Sequence, residues 1–536
     1  MTPPEDVYQA THPIRVITAT SLFDGHDAAI NIIRRILQDS GAEVIHLGHN
    51  RSVGEIVDAA LEEDVQGIAV SSYQGGHMEF FKYLHDMLQD NNAGHIKIFG
   101  GGGGVIVHHE IKELESYGIC KIYSPADGSQ MGLQGMINHM MQQMDFSPLE
   151  ANKFDLSRLT PAHPLSIARL ITMAEVDSGE KDSEFNAIKR RLAEIRHNKT
   201  IPVVGITGTG GAGKSSLTDE LIVRLLHHHP DMNIGILCCD PTRRKTGGAL
   251  LGDRIRMNAI DNPRVYMRSL AVRTSNTELP IVLPDAINIL KSADFDLIIA
   301  ETAGIGQGAS NIFDLTDVSM YAMTSDYGAA SQLEKIDMLD YADIIIVNKF
   351  DKEGSEDALR DIRKQVQRNR KAWNTSIEEM PVFGTIASKF NDDGVTAMYR
   401  FLRKTIADKT GVRFGEAIRE VKERVSTTKT IFVPPERNRY LSEISETLRT
   451  YHAHTKSQAD ALRRAWHLKE TAAELGGAEA LEGDTKALLG KLKNAIDAAN
   501  AEIEPATRQS MDEWKEIRET YTRDELVYMV RDRQIR

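Results

Sequence analysis

The chain has 536 residues, of which 41% are hydrophobic and 26% charged, a balance that excludes a mainly disordered protein. With 64 basic and 77 acidic residues the net charge is −13, which argues against general binding to nucleic acids or anionic membranes. Three cysteines, no signal-peptide pattern at the start and no apolar run near about 18 residues predict a protein of the reducing cytoplasm without membrane spans.

Residues 1–145 alternate short apolar runs with amphipathic stretches. Strands are predicted for the runs IRVITAT (14–20), AEVIHL (42–47), GIAVSS (67–72), HIKIF (95–99) and GICKIY (118–123). Helical patterns lie near 27–39, 52–63, 77–90, 108–117 and 128–143. This alternation predicts a parallel sheet covered on both faces, and the ligands of such sheets lie in loops at the carboxyl ends of the strands.

The remaining chain divides into three regions. Residues 146–198 open with three prolines and continue as two helical patterns, which predict a helical connector. Residues 199–412 return to the alternation and predict a second α/β domain, with strands near 201–207, 233–239, 295–301, 318–324, 343–349 and 381–387. Residues 413–536 are rich in Glu, Lys, Arg and Ala and predict exposed helices that contact a partner.

A glycine-rich loop follows the first predicted strand of the second domain. Its sequence GTGGAGKS matches G-x-x-x-x-G-K-[ST] between a strand and a helix, the context in which this pattern binds phosphate. Lys214 would reach the outer phosphates and Ser215 would bind magnesium. A dinucleotide fingerprint fits the same glycines, but the Lys-Ser pair disfavours it. The predicted nucleotide contacts are Gly208, Gly210, Gly211, Ala212, Gly213, Lys214, Ser215 and Ser216.

The motif NKFD, at the end of the buried strand DIIIVNK, indicates the base. The Asp351 carboxylate can accept hydrogen bonds from N1–H and N2–H of guanine, whereas adenine would leave the carboxylate unpaired. We therefore predict that Asn348, Lys349 and Asp351 recognise guanine, with Lys349 over the base. Ser388, after another strand, would add a backbone contact to the guanine oxygen.

Acidic residues stand at strand ends between these two motifs. Asp240 follows the second strand and Glu301 follows the third, positions from which carboxylates bind magnesium directly or through water. Asp253 is equally consistent with a magnesium ligand and with an exposed strand-end acid. Arg243 or Arg244, in the loop after Asp240, could place positive charge on the outer phosphates.

The segments GTGGAGKSS, DPTRRKTGGALLGDRIRM, ETAGIGQ and NKFD, in this order, resemble the metallochaperone-type GTPases that serve cobalamin-dependent acyl-CoA mutases. Ala303 and the DPTRRKTGG loop depart from the commoner pattern without removing a phosphate or magnesium ligand. The resemblance implies that Lys214 and Glu301 act in GTP hydrolysis, that a loop near 324–334 senses a partner, and that the chain forms a homodimer. It also implies the magnesium ligands Ser215, Asp240, Asp253 and Glu301.

A second candidate site lies in the first domain. The loop after its first strand contains Asp24 and His26, and a neutral imidazole there can bind a metal through one nitrogen while the other donates to the carboxylate. Ser71 and its neighbours follow the third strand. Five glycines, 100–104, follow the fourth strand and let the backbone approach a large flat ligand.

These loops resemble the flavodoxin-like cobalamin-binding domain of mutases and methionine synthase. The D-x-H-x-x-G pattern of that family appears as DGHDAA, its S-x-L pattern as SSY, and its glycine pair within the run of five glycines. The resemblance implies that His26, oriented by Asp24, coordinates cobalt from below. It also implies that the nucleotide tail of adenosylcobalamin lies between sheet and helix near Ser71, Gly101 and Gly102.

A cobalamin domain, a P-loop GTPase domain and a helical linker in one chain resemble the fused acyl-CoA mutases of the isobutyryl-CoA type. That family binds acyl-CoA with a TIM barrel, for which no segment here is suited, so we expect either a shortened form or a natural subunit with a separate barrel as partner. The resemblance implies adenosylcobalamin and Mg²⁺ as cofactors, GTP hydrolysis that gates cofactor loading and removal, and an adenosyltransferase as a further partner.

Two other functions are open at this stage. The chain could be a non-catalytic cobalamin carrier or sensor with a GTP-binding switch, which would bind GTP with negligible hydrolysis. A nickel-insertion GTPase is less favoured, because the histidine run 227–229 closes a predicted helix and the Cys238-Cys239 pair ends a buried strand.

Overall fold

The computed structural model describes residues 7–150, 156–177, 184–195, 199–243, 245–273, 279–303, 309–327, 333, 336–415, 421, 423–427, 440–476, 483–525, 528–530 and 533–535. The chain divides into two compact units, Met1–Ile431 and Phe432–Arg536. The first unit holds two parallel sheets, and the second is mainly helical. No helix among these described residues is long and apolar enough to cross a membrane.

The first sheet confirms the α/β prediction for the N-terminal region. Its strand order is β5-β4-β3-β1-β2-β8, and the strands are parallel. The strands of this region are β1 Arg15–Ser21, β2 Glu43–Arg51, β3 Gly67–Ser71, β4 Lys97–Gly101 and β5 Lys121–Tyr123. The central strands β1 and β3 are buried along their whole length, as is typical of strands covered on both faces. The order reverses between β1 and β3, and sheets of this kind bind ligands at that switch point.

Helices cover both faces of this sheet. They are α1 Ala28–Asp39, α2 Val53–Glu63, α3 His77–Asp90, α4 His108–Tyr117 and α5 Pro125–Met144. A capping box starts α2: the Ser52 hydroxyl accepts from the Glu55 N–H at 3.2 Å, and the Glu55 carboxylate accepts from the Ser52 N–H at 2.7 Å. Helix α5 bends at Gly132, whose φ of 65° lies in the left-handed region.

The second sheet forms around the phosphate loop, in the order β13-β12-β11-β6-β10-β7-β9, and is also parallel. Its strands are β6 Val203–Gly208, β7 Ile234–Pro241, β9 Val265–Val272, β10 Leu297–Glu301, β11 Val318–Met323, β12 Ile344–Asn348 and β13 Val382–Thr385. The helices of this region are α8 Lys214–His228, α9 Leu283–Ser292, α10 Met338–Tyr341, α11 Ser355–Asn369 and α12 Asp393–Thr410. The P-loop fold class predicted from the motif is confirmed.

Two strands of the second region were absent from the sequence prediction. In the sequence of strand β9 the apolar run is interrupted by Arg268, but this side chain is fully buried and paired with Glu175 at 3.0 Å. Strand β8, Ala249–Leu251, is only three residues long and pairs with β2 of the first sheet, with Glu43 opposite Ala249. A pairing between residues so far apart in sequence leaves no local pattern to detect.

Helices link and follow the sheets. The predicted connector contains α6 Pro164–Val176 and α7 Glu184–Ile195. The second unit contains α13 Tyr440–Gly476, α14 Gly483–Ala501 and α15 Pro505–Tyr521, and a short antiparallel pair, β14 Tyr528–Val530 and β15 Arg533–Ile535. The predicted helical C-terminal region is confirmed, apart from this strand pair. The domain boundaries at 145, 198 and 412 stay predictions.

Candidate functional site

The phosphate loop turns tightly from β6 into α8, and two of its glycines have no room for a side chain. A Cβ on Gly208 would lie 1.9 Å from the Ala322 carbonyl oxygen. A Cβ on Gly213, whose φ is 84°, would lie 2.5 Å from the Asn348 Nδ2 atom. Gly208 and Gly213 therefore have to be glycine, and the loop leads directly into the N-terminus of α8, where free backbone N–H groups favour an anion.

The loop residues line a cavity of about 440 Å³ at the carboxyl edge of the second sheet. Lys214 is buried beside it, and its Nζ atom donates to the carbonyl oxygens of Gly208 at 3.2 Å and Thr209 at 3.4 Å. Burial lowers the pKa of this ammonium group. Among the predicted nucleotide contacts, those that line the cavity are Gly210, Gly211, Gly213, Lys214, Ser215, Ser216 and Lys349.

Two carboxylates contact Ser215 in the cavity, and a third, that of Asp240, lines the same cavity. The Ser215 hydroxyl is 2.8 Å from Glu301 Oε1 and 3.2 Å from Asp253 Oδ1. Thr218, one turn further along α8, donates to Glu301 Oε2 at 2.8 Å. Asp253 is buried, so the exposed-acid alternative for it is wrong. Thr218 was not predicted, although its spacing of three residues from Ser215 places both hydroxyls on one helix face.

These acids fit a divalent cation. Burial and the nearby Asp253 raise the pKa of Asp240 to about 8 and that of Glu301 to about 7. The Asp240 Oδ2 atom is buried and has no hydrogen-bond partner among the described residues. In the described part of the chain no group of three or more His, Cys, Asp or Glu side chains is arranged to hold a metal ion by itself. A site completed by phosphate oxygens and water, as Mg²⁺ prefers, matches such an open group of acids.

The NKFD motif extends the site beyond the phosphate loop. Asn348 acts as a brace: Nδ2 donates to the Ala212 carbonyl at 2.7 Å, and Oδ1 accepts from the Ala387 N–H at 3.1 Å. Asn348 therefore joins the loop to the segment before Ser388, rather than facing the base directly. Lys349 has a left-handed φ of 56°, while Asp351 and Ser388 are exposed.

The basic residues around the cavity differ from the prediction. Arg243 is ion-paired with Asp39 of helix α1, so its guanidinium is engaged with the first sheet and not with the phosphate cavity. Arg256 lines the cavity instead and lies 3.0 Å from Asp253. Arg244 and most of the predicted partner-sensing loop 324–334 fall outside the described residues.

The first sheet carries the second candidate site at its switch point. Asp24 is buried, and its Oδ1 atom lies 2.8 Å from His26 Nδ1, while its Oδ2 atom accepts from the Tyr73 N–H at 2.6 Å. Burial alone would raise the pKa of Asp24, but the hydrogen bonds from Tyr73 and His26 lower it overall. The side chain of His26 is 74% exposed, so its Nε2 atom faces outward from the pair. A carboxylate that fixes one imidazole nitrogen in this way prepares the other for a metal.

A mostly apolar cavity of about 440 Å³ opens beside this pair, between the sheet edge and helices α1 and α5. Ser71, Gly101 and Gly102 line it, as predicted for a cobalamin tail. A Cβ on Gly102 would lie 2.3 Å from the Ser72 carbonyl oxygen, so larger residues would close the loop onto the cavity. The exposed imidazole and the apolar cavity beside it fit a large planar metal complex with a trailing group.

The cysteines do not form a metal site with the histidine run. Cys238 and Cys239 are fully buried in β7, and burial raises the pKa of both thiols. A thiol held in its protonated form is a poor metal ligand. This burial argues against the nickel-insertion alternative.

Two family models match the chain. The model described as B12 binding domain covers residues 14–127, which include Asp24, His26 and the glycine loop. The model described as Methylmalonyl Co-A mutase-associated GTPase MeaB covers residues 167–430, which include the phosphate loop, the three acids and NKFD. Each model therefore spans one of the two sites.

Curated relatives extend the similarity over the whole chain. A fused isobutyryl-CoA mutase of Geobacillus kaustophilus is 52% identical over 534 residues, which cover 99% of this chain and 48% of the relative. One of Cupriavidus metallidurans is 49% identical and covers 98% of this chain and 47% of the relative. A putative GTPase of Pyrococcus horikoshii is 32% identical over 50% of this chain and 84% of its own length. The chain spans about half the length of the fused mutases. It therefore belongs to the MeaB-type GTPases, and together with its B12-binding domain it is similar over 99% of its length to part of the fused isobutyryl-CoA mutases.

Proposed function

We propose that the chain binds GTP with Mg²⁺ in the cavity beside the phosphate loop and hydrolyses it. The observation that carries this proposal is the contact of the Ser215 hydroxyl with Asp253 and Glu301, next to the buried ammonium group of Lys214. A phosphate-loop serine and a strand-end carboxylate are the protein ligands of Mg²⁺ in P-loop enzymes, and the loop lysine cradles the outer phosphates.

Five side chains of the cavity have a role in the proposed hydrolysis. Mg²⁺ held there would supply positive charge that offsets the negative charge developing on the phosphate oxygens. Ser215 would hold it through the hydroxyl, and Asp240, Asp253 and Glu301 would hold it directly or through water. Lys214 would exchange its contacts with the loop carbonyls for contacts with the outer phosphates. The Thr218 hydroxyl of α8 donates to Glu301 Oε2 and fixes this carboxylate. In that position Glu301 would also orient water beside the terminal phosphate.

Guanine is the base that the NKFD motif suits. We infer that Asp351 accepts from N1–H and N2–H of guanine and that the stem of Lys349 covers the ring. Asn348 keeps the base-binding segment in register with the phosphate loop through its bond to Ala212. The backbone at Ser388 would contact the guanine oxygen.

Nucleotide hydrolysis by the full chain tests this assignment. We expect Mg²⁺-dependent release of phosphate from GTP. We expect kcat/KM for ATP to be at least about 10²-fold lower than that for GTP, because adenine leaves the Asp351 carboxylate unpaired. Asp351→Asn should remove most of this preference, since the amide loses one acceptor and adds a donor toward the guanine N–H groups. The exposed Asp357, on the next helix, provides the matched Asp357→Asn control. Binding of GTP without turnover would favour the non-catalytic carrier or sensor, and equal use of ATP would contradict the guanine assignment.

The first sheet, in this proposal, binds adenosylcobalamin. His26 would coordinate cobalt through Nε2 while Asp24 holds Nδ1, and the nucleotide tail would enter the cavity lined by Ser71, Gly101 and Gly102. When bound, adenosylcobalamin supplies the radical chemistry of a mutase reaction. The chain would contribute the imidazole that holds the cobalt, the carboxylate that orients this imidazole and an apolar cavity for the tail.

We further propose that the nucleotide state gates loading and removal of adenosylcobalamin, so that the GTPase domain acts as a chaperone for an acyl-CoA mutase of the isobutyryl-CoA type. The names and lengths of the fused relatives support a catalytic barrel as partner, in the same polypeptide or as a separate subunit. An adenosyltransferase as cofactor donor and a homodimer complete the proposal. The three cysteines of the chain form no disulfide bond, and this favours the cytoplasm as the compartment of the protein.

A further inference from the structure

The segment between two of the acids in the GTPase cavity is built into the first sheet. Asp240 lies near the end of β7, and Asp253 directly precedes the short 3-10 helix Arg254–Arg256. The chain between them contains β8, which pairs with β2 in parallel with Ala249 opposite Glu43. Both acids therefore flank a strand of the GTPase region that pairs with the edge of the first sheet.

The segment that contains β8 packs against the end of helix α1 through direct backbone contacts. A Cβ on Gly248 would be 2.0 Å from the Gln38 carbonyl oxygen, so only glycine permits the contact. The next N–H, that of Ala249, donates to the Ala42 carbonyl at 3.1 Å. The Asp240 carboxylate also accepts from the Gly252 N–H, which closes the segment back onto the GTPase cavity.

A buried ion pair fastens the far end of the segment. Arg254 is buried, and its Nε atom donates to Glu63 Oε1 at 2.9 Å. Glu63, at the end of α2, is fully buried and also accepts from Arg15 at 2.6 Å and from the Ser269 hydroxyl at 2.8 Å. Burial raises the pKa of Glu63, but the positive charges of Arg254 and Arg15 more than offset this and lower it. Glu63 thus remains an anion held among cations from both sheets.

We propose that Glu63 of the B12-binding domain is a positioning residue for the GTPase site, which acts through Arg254 to hold Asp253 against Ser215 and Mg²⁺. The inference rests on the proposed GTPase function. Because Asp253 directly precedes Arg254 and lies 3.2 Å from the Ser215 hydroxyl, a displaced Arg254 shifts the carboxylate away from that hydroxyl. The first sheet therefore completes the Mg²⁺ site of the second, and a coupling between two sites acts in both directions.

The Mg²⁺ requirement of the full chain tests this role. For each variant we would measure the Mg²⁺ concentration that gives half-maximal GTP hydrolysis, and the rise in Tm of the GDP-loaded protein as Mg²⁺ is added. We expect Glu63→Gln to raise the Mg²⁺ requirement at least about fivefold in both measurements, the lower end of coupling effects between sites. Arg254→Lys, which keeps the charge but loses the Nε contact with Glu63, should act in the same direction and serves if Glu63→Gln does not fold.

Glu175→Gln is the matched control. The Glu175 carboxylate is also buried; it pairs with Arg268 at 3.0 Å and lies 3.9 Å from Arg15, whereas Arg254 pairs with Glu62 and Glu63. Its loss should lower the Tm without changing the Mg²⁺ requirement. A wild-type Mg²⁺ requirement in the folded Glu63→Gln or Arg254→Lys protein would overturn the inference, as would an equal shift in Glu175→Gln. A wild-type chain that neither hydrolyses GTP nor responds to Mg²⁺ would overturn the proposed function and the inference with it.

Discussion

Lys214→Ala is expected to abolish GTP hydrolysis, with kcat lowered at least about 10²- to 10³-fold, the usual effect of removing one preorganised donor to a developing charge. Lys214 carries a buried positive charge at the phosphate loop, and its current contacts with the loop carbonyls are ones that phosphate oxygens can replace. Release of inorganic phosphate at saturating GTP and Mg²⁺ measures the loss. Adenosylcobalamin binding should be unchanged, because His26 lies on the other sheet.

Lys199→Ala is the control for this prediction. Lys199 precedes the same strand β6 but lies at its amino end, where it pairs with Asp294 and Asp296 at 3.1 and 2.8 Å. Removal of this exposed charge should leave kcat near the wild-type value. Turnover by Lys214→Ala at the wild-type rate would show that the cavity is not the site of hydrolysis.

His26→Ala is expected to remove the base-off, histidine-ligated absorbance spectrum of bound adenosylcobalamin and to weaken binding at least about tenfold. The imidazole is the exposed member of a pair whose other member, Asp24, is buried and doubly hydrogen-bonded. Asp24→Asn should have a smaller effect in the same direction, because the amide orients the imidazole less firmly. An absorbance titration measures both affinity and ligation.

His49→Ala is the matched control for the cobalamin site. His49 is also exposed and lies near the carboxyl end of the neighbouring strand β2, without a buried carboxylate partner among its described contacts. Its replacement should leave the spectrum unchanged. A histidine-ligated spectrum that survives in His26→Ala would assign the cobalt ligand to another residue.

The sequence predicted the sheets well because their strands carry their own signal. Strands such as β1 and β12 are continuous apolar runs, and a buried parallel strand has no polar face to obscure this pattern. Lys214, Ser215 and Glu301 could be assigned to one cavity because the carboxyl ends of parallel strands meet at one edge. The local motifs and the fold class could therefore be predicted from the amino-acid sequence alone.

Features that depend on contacts between the two sheets were not accessible in this way. Strand β8 has three residues and pairs with a strand about 200 positions away in the sequence. Neither hydrophobic periodicity nor turn residues therefore predict it. Arg268 reads as a break in an apolar run, but a carboxylate from α6 neutralises it inside the protein. Arg243 was one of two candidates, with Arg244, to place charge on the phosphates because both follow Asp240, whereas Arg243 pairs with Asp39 of the other domain.

Roles inside the motifs were also only partly predictable. Asn348 matches the guanine motif by position, but its side chain binds the Ala212 carbonyl and the Ala387 N–H, which makes it a brace between two loops. Thr218 comes after the last residue of the loop motif and is not part of it. Its hydroxyl nevertheless lies 2.8 Å from a Glu301 oxygen, the same distance as the Ser215 hydroxyl. A motif names residue types at a spacing, and the hydrogen-bond partner of each is decided by the surrounding fold.

Simultaneous binding of both ligands tests the central claim most directly, namely that one compact unit carries a corrinoid site and a guanine nucleotide site on separate sheets. We would measure, in one sample of the full chain, the stoichiometry of adenosylcobalamin and of a slowly hydrolysed GTP analogue with Mg²⁺. The account predicts one of each per chain, bound together. Binding of only one of the two when both are at saturating concentration would contradict it.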